Sequence, residues 1–248
     1  MITVKTEKEI ELMRESGQIT KRVLDLIGQS IKPGMSTKDL DKIAYDFITS
    51  CGATPSFLGY NGFPASICAS IDEMVVHGIP REDVIIKEGQ LVSIDVGVIY
   101  NGWQGDAART FAVGEVSDEK KKLLKVTEEC FFKAIESLRD GTPLGNIGYA
   151  VQSHAESNGF SVVRALVGHG IGRNMHEDPS VPNYGKKGTG IRLKKGMTIA
   201  IEPMINAGVY QVDFLSDGWS VVTKDRKPSA HYENTIAITD DGVEILTL

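Results

Sequence analysis

The chain has 248 residues, 41% hydrophobic and 24% charged, with a formal net charge of −6. That is enough chain for one large core, and the acidic balance excludes the basic footprint of a nucleic-acid-binding surface. Three widely spaced cysteines without a CxxC pair fit a reducing compartment rather than a disulfide framework. No apolar run approaches the ~18 residues that span a bilayer, and the charged start "MITVKTEKEIELMRESG" is no secretion signal, so a cytoplasmic protein is expected.

The first predicted element is an amphipathic helix over residues 7–30, with Ile10, Met13, Ile19, Val23, Leu26 and Ile27 on one stripe. A glycine turn and a second helix over 36–51 follow. The run "LVSIDVGVIY" is β-branched and partly alternating, as a strand should be. Asn101-Gly102 then separates it from a second strand, a strong signal for a two-residue type I′ hairpin. In that register Asp95 faces Ala108 and Asp106 faces Gly97, so both carboxylates lie on one face as diagonal neighbours, with Cα atoms roughly 7–8 Å apart. Further helices are predicted over 117–138, where "DEKKKLLK" reads as a solvated face, and over 143–158. The stretch "GHGIGRNMHEDP" (168–179) combines backbone freedom with two imidazoles, His169 and His176. "MTIAIEPMI" is a strand interrupted by Glu202. "WSVVTKDRKPSAHYENTIAI" reads as a hairpin turning near 225–228, which would set Trp219 roughly opposite Glu233.

The two halves resemble each other at a constant spacing. Residues 87–99 lie over 194–206, and 31–53 over 138–160, each 107 positions on; Gly78 falls on Gly185 and Asp95 on Glu202. Two helix–helix–sheet halves, roughly 1–110 and 111–248, make one α+β body over 1–248 with a shared, mostly antiparallel sheet and helices on its outer side. The pseudo-twofold brings Asp95 and Glu202 to equivalent places at an interior cleft.

Asp95, Asp106, Glu202 and Glu233 all interrupt apolar strands, and a buried carboxylate needs a cation or donors. A salt bridge from Asp95 to Arg109 or another base is the plain alternative. Four such acids, two of them related by the repeat, point instead to metal, with His169 as the one nitrogen. Carboxylates that bridge two ions roughly 3.5–4 Å apart use all four, and oxygen-rich ligation with one imidazole favours Mn(II), Fe(II), Co(II) or Zn(II). His154 and His231 match no role and read as structural or exposed, as do Trp103 and Arg109.

The ordered set "KEIELMRESG", "IKPGMSTKDL", "PSFLGYNGFPASICAS", "EMVVHGIP", "SIDVGVIYNGWQGDAARTF", "GHGIGRNMHEDPSVPNYG", "GMTIAIEPMI" and "SAHYENTIAIT" resembles the type I methionine aminopeptidases, metallopeptidases of the pita-bread fold, over nearly the whole chain. The resemblance implies two divalent ions held by Asp95, Asp106, His169, Glu202 and Glu233. It implies hydrolysis of the bond after an N-terminal methionine by a metal-bridging water, with Glu202 as general base and then acid. His77 and His176 would hydrogen-bond the scissile amide or the developing oxyanion. Tyr60, Phe63, Cys68 and Trp219, with Phe57 and Met175 nearby, would line the pocket for the methionine side chain, whose sulfur suits aromatic walls; core packing is the plain alternative for these. Asn61, Phe63, Met175 and Leu166 depart from residues common in bacterial relatives and bear on substrate preference. Implied partners are the N-termini of newly made polypeptides, met in transient association with ribosomes by a monomer that touches neither membrane nor specific nucleic-acid sequence. A prolidase or aminopeptidase P is the neighbouring alternative, though those relatives usually carry an added N-terminal domain. A catalytically dead pita-bread module would have lost ligands that are all present here.

Overall fold

The computed structural model describes residues 2–248. The first half opens with α1 (Glu7–Ser30), started by a capping box in which Thr6 accepts from the Glu9 amide and the Glu9 carboxylate accepts from the Thr6 amide at 2.9 Å. Its buried face is Met13, Ile19, Val23, Leu24 and Ile27, so Leu24 rather than Leu26 turns inward. Ser36 and Asp39 start α2 (Thr37–Ser50) in the same way. Strands β1 (Thr54–Pro55), β2 (Ile67–Ile71), β3 (Met74–Val76), β4 (Leu91–Tyr100) and β5 (Trp103–Ala112) follow. The β4–β5 turn has φ of 50° at Asn101 and 77° at Gly102, the left-handed pair that a type I′ turn requires. The resulting register is the predicted one, Asp95↔Ala108 and Gly97↔Asp106. Helix α1 packs on this hairpin, where the Ser16 hydroxyl donates to the Val98 carbonyl at 2.8 Å. Val23, Ile27, Leu40, Ile48, Ile94 and Val96 form its core, each such burial stabilising by about 1.5–3 kcal/mol.

The second half repeats the plan with α3 (Asp118–Ile135) and α4 (Gly145–Ser157), each a few residues shorter than its pattern suggests. Then come β6 (Ser161–Val162), β7 (Gly168–Gly170), β8 (Glu177–Val181), β9 (Thr198–Ile201), β10 (Met204–Asn206), β11 (Val212–Phe214), β12 (Val221–Thr223), β13 (Ser229–His231), β14 (Asn234–Ile238) and β15 (Val243–Ile245). Leu123, Phe131, Ile147, Val151, Ile199 and Ile236 fill a second core. The strands form sheets of four, three, three and five strands, and the pairings among the described residues are antiparallel.

Backbone pairing reproduces the repeat. The bridge Ser36↔Ile85 recurs 107 positions on as Pro143↔Arg192, and the ladder Thr54↔Ile99, Pro55↔Val98 recurs as Ser161↔Asn206, Val162↔Ile205. The spacing does not extend to Gly78 and Gly185. A Cβ on Gly78 would sit 2.3 Å from the Ala69 carbonyl oxygen, whereas Gly185 lies in open space at φ 136°. Pairing with β4 and β9 instead equates Ser70 of β2, opposite Ser93, with His169 of β7, opposite Ala200. The halves join where β5 meets the segment entering β14. Ala108 and Glu233 exchange both backbone hydrogen bonds, at 3.3 and 3.0 Å. On either side, Thr235 Oγ1 bonds the Asp106 amide and carbonyl at 3.1 and 2.9 Å, and Thr110 Oγ1 bonds those of His231 at 2.9 and 2.8 Å. The local twofold therefore makes His231 the counterpart of Asp106.

The hairpin expected near 225–228 is a correction. A turn is present, with the Arg226 amide donating to the Thr223 carbonyl at 3.2 Å, but its arms diverge. β12 pairs with β11 and β3, while β13 pairs with β10. Trp219 and Glu233 are not ladder partners; they meet across a cleft.

Candidate metal centre and substrate cleft

The hairpin register aims Asp95 and Asp106 from one face of β4–β5. Glu202 follows the last residue of β9, and Glu233 precedes β14. His169, at the middle of β7, is fixed by its own backbone. Its Nδ1 donates to the Gly170 carbonyl at 2.9 Å, since a carbonyl can only accept. This turns Nε2 toward the acids, 3.8 Å from Asp106 Oδ2 and 3.7 Å from Glu202 Oε1. The flanking glycines serve packing rather than approach to an ion. A Cβ on Gly168 would lie 2.4 Å from the Ala200 carbonyl oxygen, and one on Gly170 2.1 Å from that of Asp178. The predicted rival of a metal, an Asp95–Arg109 bridge, is not formed. Arg109 donates to the carbonyls of Ala108 and Glu233 and to Asn234 Oδ1, and stacks on Tyr232 at 4.2 Å.

Asp106, His169 and Glu233 are buried, while Asp95 and Glu202 keep one side to the cleft. Burial pushes the Asp95 carboxyl up to about 7. It raises Asp106, Glu202 and Glu233 well above the usual carboxylate range, with neighbouring carboxylates adding to the rise. Burial also pushes His169 down to about 4, helped by nearby His176. Asp95 Oδ1, Asp106 Oδ1 and Glu233 Oε1 have no hydrogen-bond partner. Orphaned buried oxygens around one centre, with no lysine or arginine among the described residues in an ion pair with them, fit divalent ions.

The ligand atoms fall into two triads sharing Glu233, within 4.8 Å of one another in each: Asp106, His169 and Glu233, and Asp95, His231 and Glu233. His231 is the residue that sequence reasoning missed. It is 2% exposed, so the exposed alternative does not hold, and burial pushes it down to about 3. The available signal was its spacing of two from Glu233 in "HYE", which puts both on one face of a strand. His154 lies on α4 away from the clustered carboxylates, its Nε2 2.9 Å from Glu129.

Beside the acids lies a cleft of about 200 Å³ walled by Phe57, Tyr60, Phe63, Cys68 and Trp219, with Asn61, His77 and His176 on its edge. Phe63 and Trp219 meet edge to face at 5.1 Å. Tyr60 also carries a polar duty: its hydroxyl lies 2.7 Å from His176 Nδ1. His77 sits at φ 60°, a strained conformation for a non-glycine residue, and hydrogen-bonds the Trp219 backbone. Cys68 pairs with Asp95 in the ladder, and burial raises its thiol well above the usual range, so it is inert. Met175 is not on the cleft wall. It packs behind Phe57, the two side chains enclosing Gly97, where a Cβ would meet them at 2.7 and 2.5 Å. A larger depression of about 810 Å³ lies between α1 and α3, with acids and bases mixed along it.

The charge state predicts a pH response. From about pH 7.5 the histidines are neutral folded or unfolded, so the acids decide. Unfolded carboxyls are then fully ionised, whereas Asp95, raised to about 7, and Asp106, raised well above the usual carboxylate range, are still giving up protons in the fold. Stability is therefore lost as pH rises through the folded values. The metal-free protein is expected to show a Tm that falls by several degrees between pH 7.5 and 9, and divalent ion should restore it. A Tm that is flat, or that rises over this range without metal, contradicts the picture.

A family model described as metallopeptidase family M24 matches residues 11–240. The chain is 54% identical to a methionine aminopeptidase of Clostridium acetobutylicum over 100% of this chain and 99% of that one. It superposes on the crystal structure of methionine aminopeptidase from Rickettsia prowazekii with a TM-score of 0.98 at 48% identity, covering both chains fully. A prolidase from Pyrococcus furiosus shares the fold at a TM-score of 0.76 and 22% identity, with 99% of this chain covering 65% of that one.

Proposed function

This chain belongs to metallopeptidase family M24, and from that premise we propose that it works as a methionine aminopeptidase whose metal-dependent site is the cleft between the two halves. The observation that carries the reading is the convergence of Asp95, Asp106, His169, Glu202 and Glu233 at the end of an aromatic-walled cavity. Asp95, Asp106, His169, Glu202 and Glu233 would hold two divalent ions drawn from Mn, Fe, Co and Zn. When bound, such ions supply a docking point for a free α-amine, polarise a carbonyl and bring the pKa of a water near neutrality.

The rest is done by this chain's own groups. Phe63, Trp219, Cys68 and Phe57 receive the methionine side chain, an apolar and polarizable group suited to aromatic edges. Tyr60 holds His176 in place. His176 and His77 donate hydrogen bonds to the scissile amide as negative charge develops on its oxygen. Glu202 takes the proton of the attacking water and hands it to the departing amine. The substrates are the N-termini of newly made polypeptides, encountered in transient ribosome association in the cytoplasm. A site supplied wholly by one chain supports action as a monomer.

Substrate choice tests the reading. Release of methionine from Met-Ala-Ser is expected to exceed cleavage of an X-Pro dipeptide by about 10²-fold or more in kcat/KM, since pocket discrimination of this order follows from side-chain fit alone. Faster cleavage of the X-Pro dipeptide would favour the prolidase reading, which the low-identity fold neighbours by themselves do not support.

A further inference from the structure

We propose that His231 is a sixth protein ligand of the metal centre, binding through Nε2 the ion that Asp95 and Glu233 also hold. The proposal rests on the metal-centre reading and extends it to a residue outside the five-ligand set.

Three observations carry it. First, His231 Nε2 is buried and has no hydrogen-bond partner, although it lies among carboxylates. It stands 3.5 Å from Glu233 Oε2 and 3.9 Å from Glu202 Oε2, and neither contact forms a hydrogen bond. Two donors that each lie about 2.1 Å from a shared ion stand roughly 3–3.4 Å apart around an octahedral or tetrahedral centre, so the Glu233 contact is the spacing of neighbouring ligands. Second, Asp95 completes a triad with this pair, its ligand atom within 4.8 Å of theirs. Third, the local twofold puts His231 where Asp106 stands in the first half, each clasped at amide and carbonyl by a threonine hydroxyl. A backbone position that aims Asp106 into the centre aims His231 there too.

The consequence is a balanced pair of sites. Each has its own aspartate and its own imidazole, and the two share Glu233. An added nitrogen donor should tighten the second site for the later first-row metals over an all-oxygen site.

Cobalt(II) alone is the probe. In the Co(II)-loaded protein with 15N-labelled histidine, two strongly hyperfine-shifted exchangeable imidazole N–H resonances are expected, one each from His169 and His231. His231→Gln should lose one of them. It should also weaken one of the two Co(II)-binding steps about 10-fold or more by calorimetry, leaving the other step and the far-UV spectrum unchanged. A single shifted N–H in the wild-type protein overturns the assignment, whether or not the variant folds. So does a variant with both signals and both affinities intact. If the wild-type protein takes up no Co(II), the metal-centre reading fails and this ligand with it.

Discussion

Glu202→Gln is expected to lower kcat for Met-Ala-Ser hydrolysis by about 10³-fold, within the 10²–10⁴ that a positioned proton acceptor contributes, with KM changed only a few-fold. Glutamine keeps the length of the side chain and an oxygen for a metal, but it cannot accept the proton. The position is well prepared for the role. Asn183 Nδ2 holds the Glu202 carbonyl at 2.9 Å, and the side chain, 14% exposed, faces the cleft beside His169. Burial and the Asp95 charge raise its carboxyl well above the usual range, which strengthens it as a proton acceptor once a bound cation has displaced its own proton. Steady-state kinetics with metal content measured on the same sample checks this. A variant with full metal occupancy and a kcat within ten-fold of the parent would remove Glu202 from the proton transfer.

Stripping divalent ions from the protein is expected to reduce hydrolysis by on the order of 10³-fold or more. The ions are asked for several kcal/mol of barrier lowering, and each 1.36 kcal/mol is a factor of ten. No side chain in the cleft replaces them. With no cation near, burial raises Asp95 to about 7 and lifts Asp106 and Glu233 well above the usual carboxylate range, which favours their protonated forms and leaves them poorly placed to accept a proton at neutral pH. His169, pushed down to about 4, is neutral. Metal uptake must displace these protons, so it should release acid into an unbuffered solution and strengthen as pH rises.

Local chemistry made much of the fold legible. The apolar stripe of α1 and the Asn101-Gly102 turn are determined within a few residues of themselves, and both stand where their patterns put them, with Leu24 in place of Leu26 on the stripe. The turn mattered most. Because side chains alternate along a strand, one correct register placed Asp95 and Asp106 together before any tertiary contact was known. The 107-residue spacing held at the Ser36–Ile85 bridge and the Thr54–Ile99 ladder, and failed at Gly78 and Gly185 and between β2 and β7, where the strands around the cleft are offset. What stayed hidden depends on contacts distant in sequence. His231 is inward only because Thr110, more than a hundred residues earlier, clasps its backbone. The turn near 225–228 gave no hint that its arms join different sheets. Met175 beside His176 looked like a pocket residue, but the close approach to Gly97 sends it behind Phe57.

The measurement closest to the centre of this account is a metal titration of chelated protein, following bound ion and the rate of methionine release from Met-Ala-Ser together. The account expects a negligible rate in the stripped protein, and a rate that climbs with occupancy and levels off when the carboxylate–imidazole cleft is filled. Undiminished release from protein shown to be free of metal would contradict it.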